Sequence, residues 1–63
     1  MESIVDVLKR RDGMSEVEAQ TYVDSAREEI QAMIDEGASY DDIEDAFEFS
    51  FGLELDYFFD LFI

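Results

Sequence analysis

The sequence predicts an all-α domain on three observations. Three segments carry apolar residues at the three- and four-residue spacing of amphipathic helices, and only one stretch alternates as a strand would. Ser15 and Ser39 stand directly before two of these segments, each with an acidic residue three positions later that suits a helix N-cap. The three glycines of the chain follow the segments, where helices commonly end. We therefore expect residues 1–63 to form one small bundle of three to four helices.

Residues 3–12 form the first predicted helix, and a longer one follows Ser15. The first helix would bury Ile4, Val5 and Leu8. Its last turn holds three basic residues, which suit the negative end of a helix dipole. Ser15 and Glu18 form a capping box for the second helix, which we expect to continue to Glu36 as the long central helix. This helix would turn one apolar stripe toward the core: Ala19, Tyr22, Val23, Ala26, Ile30, Met33 and Ile34.

The last third of the chain is harder to interpret, because residues 47–57 alternate apolar and polar side chains. A helix capped by Ser39 would already be running at this point, however, and Gly52 is a typical helix stop. We therefore predict a third helix that ends at Gly52, and a fourth that Asp56 caps and that runs from Tyr57 to the end of the chain. A hairpin or an edge strand is the alternative. The third helix would bury Ile43, Ala46, Phe47 and either Ser50 or Phe51.

Charge is the most unusual property of the chain, which has 18 acidic and four basic residues and a formal net charge of −14. All four bases lie in residues 1–27, whereas residues 28–63 contain only acids. The acids near predicted helix C-termini, where the dipole disfavours anions, are Asp35, Glu36, Glu48 and Asp60. We infer that this acidity serves the recognition of a cationic partner. The alternative is that it only keeps a small, aromatic-rich protein soluble.

The chain lacks the residues that most catalytic and ligand-binding sites require. The chain has no His or Cys, and its best-placed serines are explained as caps, so we predict a non-enzyme with no catalytic residue and no cofactor. Asp41, Asp45 and Glu48 share a helical face that could attract a divalent cation, but the EF-hand spacing is absent and we predict no metal site. An acidic surface disfavours direct binding of nucleic acid and of anionic membranes. Without a secretion signal, we expect a cytoplasmic protein.

Two stretches carry a resemblance to known proteins. "RDGMSEVEAQTYV", with its capped turn, and the tail "GLELDYFFDLF" resemble small acidic helical proteins encoded by bacteriophages and prophages. Such proteins include anti-restriction and anti-CRISPR inhibitors, which occupy the basic nucleic-acid surface of a host defence protein. The resemblance implies an anti-defence inhibitor in the host cytoplasm, and it carries over no functional residues.

These observations predict a non-enzymatic acidic interaction protein that blocks a basic, nucleic-acid-binding surface of a host protein, in the manner of a nucleic-acid mimic. The predicted partner-binding acids are Glu28, Glu29, Asp35, Glu36, Asp41, Asp42, Glu44, Asp45 and Glu48. The aromatic residues predicted to lie at an interface are Phe49, Tyr57 and Phe59. The alternative is a homo-oligomeric structural or assembly module whose aromatic face is its own interface. We expect a homodimer as the simplest form of such an interface.

Overall fold

Three serines determine where the first three helices begin. A computed structural model describes residues 2–62 of the protein, and in it Ser3, Ser15 and Ser39 are extended N-cap residues. Each hydroxyl accepts a hydrogen bond from the backbone amide three residues later, at 3.1–3.2 Å. The Glu18 carboxylate also accepts from the Ser15 amide at 3.1 Å. The predicted capping box is therefore confirmed.

The described residues form four α-helices and one short 3-10 helix, and the all-α prediction is confirmed. The helices are α1 (Ile4–Asp12), α2 (Glu16–Asp35), α3 (Tyr40–Phe51) and α4 (Phe58–Phe62), with the 3-10 helix (Leu55–Tyr57) directly before α4. No strand occurs between residues 2 and 62, so the alternating stretch at 47–57 is helix, loop and 3-10 helix. The helix that begins at Tyr40 already includes the first residues of this stretch. No other segment between residues 2 and 62 forms a strand with which the stretch could pair.

The start of the last helix differs from the prediction. Glu54 precedes the 3-10 helix and makes no side-chain capping hydrogen bond. The prediction that Asp56 caps a helix beginning at Tyr57 is therefore wrong, because Asp56 lies inside the 3-10 helix and Tyr57 is its last residue. The predicted extension of the final helix to Ile63 lies outside the described residues.

Two glycines with left-handed backbone angles separate α2, α3 and the 3-10 helix. Gly37 has a φ of 83°, and its amide donates to the carbonyl of Ile34 at 3.1 Å while the Ala38 amide donates to that of Met33 at 2.9 Å. This pair of bonds is a Schellman motif, which turns the chain sharply toward α3. Gly52 has a φ of 62° and ends α3. A side chain at either position would strain the backbone.

The core forms where α1, α3 and α4 pack against α2. Its largest fully buried side chains are Ile4, Val7, Leu8, Ile30, Phe47, Phe51 and Leu61. The rings of Phe47 and Phe51 pack together within α3 at 5.1 Å, and the contact between Phe47 and Phe58 at 5.5 Å connects α3 to α4. Offset and edge-on ring pairs of this kind add to the stabilisation that burial provides.

The buried face of α2 is narrower than the predicted stripe. Its buried residues are Ala19, Val23, Ala26 and Ile30. Tyr22 and Ile34 are 39% and 40% exposed, and Met33 is half-buried. Tyr22 stays at the edge of the core because its hydroxyl donates to the backbone carbonyl of Ser50. In α1, Val7 is buried, whereas Val5 is only half-buried.

Two arginines stabilise helix ends that are remote in sequence. Arg11 donates from Nη2 to the carbonyl of Phe51, the last residue of α3, at 2.7 Å. Arg27 donates from Nε to the carbonyl of Leu61 in α4. Both cations lie at the negative end of a helix dipole, and neither α3 nor α4 has a basic residue in its own last turn.

Asp60 stabilises the start of α1 rather than opposing the end of α4. Its Oδ2 accepts a hydrogen bond from the backbone amide of Ile4 at 2.8 Å. That amide is at the positive end of the α1 dipole, which favours an anion. The expectation that Asp60 occupies an unfavourable helix end is therefore wrong, because tertiary packing places it at the beginning of another helix.

The folded molecule is elongated, with principal extents of 33 × 20 × 19 Å and a radius of gyration of 11.5 Å. Over residues 2–62, none of the helices combines the length and the apolar character that a membrane-crossing segment needs.

Candidate functional site

Each of the four basic side chains forms an ion pair with an acid that lies in α2, in α1 or just before α1. Their ion pairs are Lys9 with Glu16 (4.0 Å), Arg10 with Glu2 (2.7 Å), Arg11 with Asp12 (2.9 Å) and Arg27 with Asp24 (3.0 Å). These pairs involve four of the 18 acids, which leaves 14 carboxylates without a salt bridge to Lys or Arg in the described part of the chain. Twelve of the 14 lie between residues 28 and 62, a part of the chain that contains no base.

Hydrogen bonds lower the pKa of three carboxyl groups near the start of the chain. The Arg10 guanidinium lowers the pKa of Glu2, and the Arg11 guanidinium lowers that of Asp12. The backbone amide at the N-cap of α2 lowers the pKa of Glu18. All three groups lie in or beside α1 or in the first turn of α2. None of them is among the acids predicted to bind a partner.

The nine predicted partner-binding acids lie on the second half of α2, in the turn that follows it, and on α3. Eight of them are exposed: Glu28, Glu29, Asp35, Glu36, Asp41, Asp42, Asp45 and Glu48. Glu44 is half-buried and borders two depressions beside α3. The nine acids are carried by α2, by α3 and by the turn at residues 36–39, across which the two helices contact each other. We call these nine residues the acidic surface.

The acidic surface is densest around the turn between α2 and α3. Asp35 and Glu36 precede this turn, and Asp41 and Asp42 follow it, so that four exposed carboxylates surround a single tight connection. On α3, residues spaced by three or four positions share a face and lie about 5–6 Å apart. Asp45 thereby continues the row that Asp41 begins.

The carboxylates do not assemble into a metal centre. Glu44, Glu48 and Glu54 border a depression of about 370 Å³ between α3 and the loop that follows it. Nevertheless, no three Asp or Glu side chains in residues 2–62 lie close enough together to hold a metal ion.

The three predicted interface aromatics have different environments. Phe49 and Phe59 are 92% and 70% exposed. Phe49 borders a shallow depression between α2 and α3, of about 240 Å³, together with Tyr22. Tyr57 is half-buried and packs against the core, since it ends the 3-10 helix instead of starting a free-standing one.

Two apolar depressions adjoin each other between the start of α3 and α4. Tyr40, Leu55 and Phe58 border both, and the volumes are about 170 and 390 Å³. Together they form what we call the α3–α4 groove, lined by Ile34, Tyr40, Ile43, Leu55, Phe58 and Phe59. Tyr40, Phe59 and Ile34 are its most exposed members, at 67%, 70% and 40%.

Tyr40 is an exposed aromatic residue that sequence reasoning missed. It is the first residue of α3, directly after the N-cap Ser39. Side chains in a helix lean toward its N-terminus, so a ring at the first position projects past the end of the packed core. The position of Tyr40 directly after a predicted N-cap serine could therefore have indicated its exposure from the sequence. Tyr40 and Phe49 are about two and a half turns apart, and they project from opposite sides of α3.

No family model, curated protein or solved structure matches the chain. The geometry alone defines its class: a small all-α protein with a net charge of −14, exposed carboxylates along α2 and α3, and several large exposed aromatic side chains.

Proposed function

We propose that this protein is a non-enzymatic interaction protein that binds and blocks a basic, nucleic-acid-binding surface of another protein. In this proposal it is a phage-encoded inhibitor of a host defence protein and acts in the host cytoplasm. The observation that carries the proposal is the set of 14 carboxylates that form no salt bridge to Lys or Arg within residues 2–62, twelve of which lie between residues 28 and 62. Cationic groups of a partner would supply the missing counter-charges.

The charge density of the molecule supports a nucleic-acid-like mode of binding. A net charge of −14 over a long axis of 33 Å corresponds to one charge per about 2.4 Å. Duplex DNA carries one charge per roughly 1.7 Å of its axis. The protein therefore reaches about 70% of that linear density. A basic groove of the partner that attracts the phosphates of DNA would therefore attract this surface too. In this proposal α2 is the long central helix that carries part of the surface.

The engagement of the polar side chains favours binding over catalysis. The hydroxyls of Ser3, Ser15 and Ser39 are committed to helix caps, and the chain has no His or Cys to activate a nucleophile. The proposal therefore assigns no reaction to the protein.

Reversing charge on the acidic surface tests the proposal. We expect Asp41→Lys with Asp45→Lys to weaken binding of the basic partner by more than about tenfold, because close charge pairs at interfaces contribute 1.5 kcal/mol or more each. The partner is captured from bacterial lysate at low salt and released at high salt, and its affinity is then measured by calorimetry. Circular dichroism checks that the variant is folded.

The matched control is Asp6→Lys with Glu16→Lys, which makes the same change in net charge. Asp6 and Glu16 are exposed first-turn residues outside the acidic surface, just as Asp41 is a first-turn residue within it. We expect the control to retain most of its affinity. Equal losses would show that net charge alone matters, and undiminished binding by the Asp41 and Asp45 variant would contradict the proposed function.

The exposed aromatic side chains favour a second candidate, a homo-oligomeric structural or assembly module. Phe49 and Phe59 would then be covered in a homodimer, and the acidity would only maintain solubility. Sedimentation at micromolar concentration distinguishes the candidates, since a stable dimer with no basic partner favours the second.

A further inference from the structure

We propose that the α3–α4 groove is the docking site for a short cationic amphipathic segment of the partner, which inserts a large apolar side chain between Tyr40 and Phe59 and places Lys or Arg residues against the acidic rim. This inference rests on the proposed function and deepens it. The acidic surface supplies charge, and the groove supplies the apolar anchor that charge alone does not provide.

The floor and walls of the groove are apolar and of suitable size. Ile43, Leu55 and Phe58 are half-buried against the core and form the floor, while the more exposed rings of Tyr40 and Phe59 border the larger depression. The smaller depression, about 170 Å³, is close to the roughly 150 Å³ of an apolar cavity that accepts benzene. It therefore has room for one ring or one branched aliphatic side chain.

The rim of the groove is acidic. Glu44 borders the smaller depression and Asp56 the larger one. Asp41 is exposed and directly follows Tyr40 in the sequence. No Lys or Arg among residues 2–62 lines either depression. The combination of an apolar floor and a rim of one sign selects an apolar anchor flanked by positive charges.

Charge also argues against the groove being covered by a second copy of this chain. A second copy would bring a further net charge of −14, and its own bases are already committed to ion pairs and helix ends. Two unit charges of like sign 4 Å apart repel by about 1 kcal/mol even in bulk water, and by more near a protein surface. Anionic lipids and nucleic acids are disfavoured for the same reason.

Synthetic peptides test the chemistry of the occupant. The probe is a fluorescein-labelled peptide of about 12 residues with leucines at the i, i+3, i+4 and i+7 positions of a helix and lysines elsewhere. Two matched peptides replace every lysine by glutamate, or every leucine by serine. By fluorescence anisotropy we expect the first peptide to bind at least about tenfold more tightly than either control. Equal binding of the leucine and serine peptides would overturn the proposal.

Substitutions in the groove test the location. We expect Tyr40→Ser and Phe59→Ser each to weaken binding of the leucine–lysine peptide by about tenfold, the usual scale for truncating an anchor residue. Phe49→Ser is the matched control, because Phe49 is 92% exposed but projects from the opposite side of α3. It should leave the affinity unchanged. An equal loss in all three variants would overturn the proposal.

Two further measurements check that the variants are folded and that the peptide binds in the groove. Circular dichroism and urea unfolding establish that the variants are folded, as expected for side chains that are about two-thirds exposed. In the unchanged protein, peptide-induced amide shifts should map to the start of α3 and to residues 55–60. Shifts confined to the Tyr22 and Phe49 side of the molecule would overturn the assignment, as would a dimer of the unchanged protein that dissociates on Phe59→Ser.

The proposal for the groove and the proposed function can be contradicted by different results. If Asp41→Lys with Asp45→Lys abolishes binding of the lysate partner while Phe59→Ser does not, the proposed function stands and the groove is not its anchor. If neither change weakens binding of that partner, both proposals fall.

Discussion

Arg11 connects two helices that are far apart in the sequence. Its Nη2 atom donates to the carbonyl of Phe51 at 2.7 Å, and its Nη1 atom lies 3.5 Å from that of Gly52. The same guanidinium pairs with Asp12. A helix that ends among acidic residues and has no base of its own thus obtains a positive charge at its C-terminus from α1.

Removing this cation should destabilise the fold. We expect Arg11→Gln to lower the free energy of unfolding by about 1–2 kcal/mol, because carbonyls of α3 lose a charged hydrogen-bond donor. For a domain of this size, each kcal/mol corresponds to a fall of roughly 4–8 °C in Tm. Urea unfolding gives the free energy directly.

Arg10→Gln is the control for Arg11→Gln. Within residues 2–62, Arg10 bonds to Glu2 alone, on the surface, and exposed pairs of this kind contribute little, about 0–1 kcal/mol. We expect Arg11→Gln to lower the free energy of unfolding clearly more than Arg10→Gln does. Equal losses would show that its bonds to α3 contribute nothing beyond a surface ion pair.

The sequence does not predict these roles of individual charges. The hydrogen bonds of Arg11 to α3 and of Arg27 to α4 span 40 and 34 residues, and that of Asp60 spans 56. Local patterns assign such side chains to the ends of their own helices. Only the packed fold shows that they act on other helices.

At the scale of elements, helix starts are the best-predicted feature, because a serine cap involves only four consecutive residues. The capping box of Ser15 and Glu18 and the Ser39 cap are both present as expected. The start of α4 was mispredicted for the opposite reason. It has five residues, too few to be stable alone, and tertiary contacts made by Leu61 and Asp60 hold it in place.

The capping box should make the stability of α2 depend on pH in a defined direction. The hydrogen bond from the Ser15 amide lowers the pKa of Glu18 below its ordinary value of 4.5. A carboxyl whose pKa is lower in the folded state contributes stability above its unfolded pKa and loses that contribution as pH falls through the folded pKa.

Glu18→Gln isolates this effect, because the glutamine amide can still accept the bond but does not titrate. We expect the variant to be less stable than the unchanged protein at pH 7, with a difference that shrinks as the pH falls below 4.5. Thermal unfolding of both proteins across pH 3–7 measures it. A difference that is constant over this range would show that the charge of Glu18 plays no part.

At the scale of the whole molecule, the uneven charge distribution is readable from the sequence, whereas the groove is not. The sequence predicts acids without counter-charges after residue 28, and it identifies Phe49 and Phe59 as exposed rings. The α3–α4 groove depends on three segments meeting: the end of α2, the start of α3 and the residues around α4. No local pattern indicates that meeting.

Self-repulsion among the carboxylates should make the fold more stable in salt. A net charge far from zero destabilises a compact state, and mobile ions screen that repulsion. We expect the urea midpoint to rise as NaCl increases from about 20 mM to about 500 mM, where the Debye length falls well below 10 Å. The variant Asp41→Lys with Asp45→Lys, with four fewer net negative charges, should show a smaller rise. Equal rises would mean that the effect does not come from this surface.

The bond between Asp60 and Ile4 also constrains how the protein can be made. During translation, α1 leaves the ribosome long before residue 60 is added, so its first amide must wait for a partner synthesised 56 residues later. Until then the first turn of α1 has only its Ser3 cap. We expect the nascent chain to acquire its final structure late, when the segment containing Asp60 returns to the helix that emerged first.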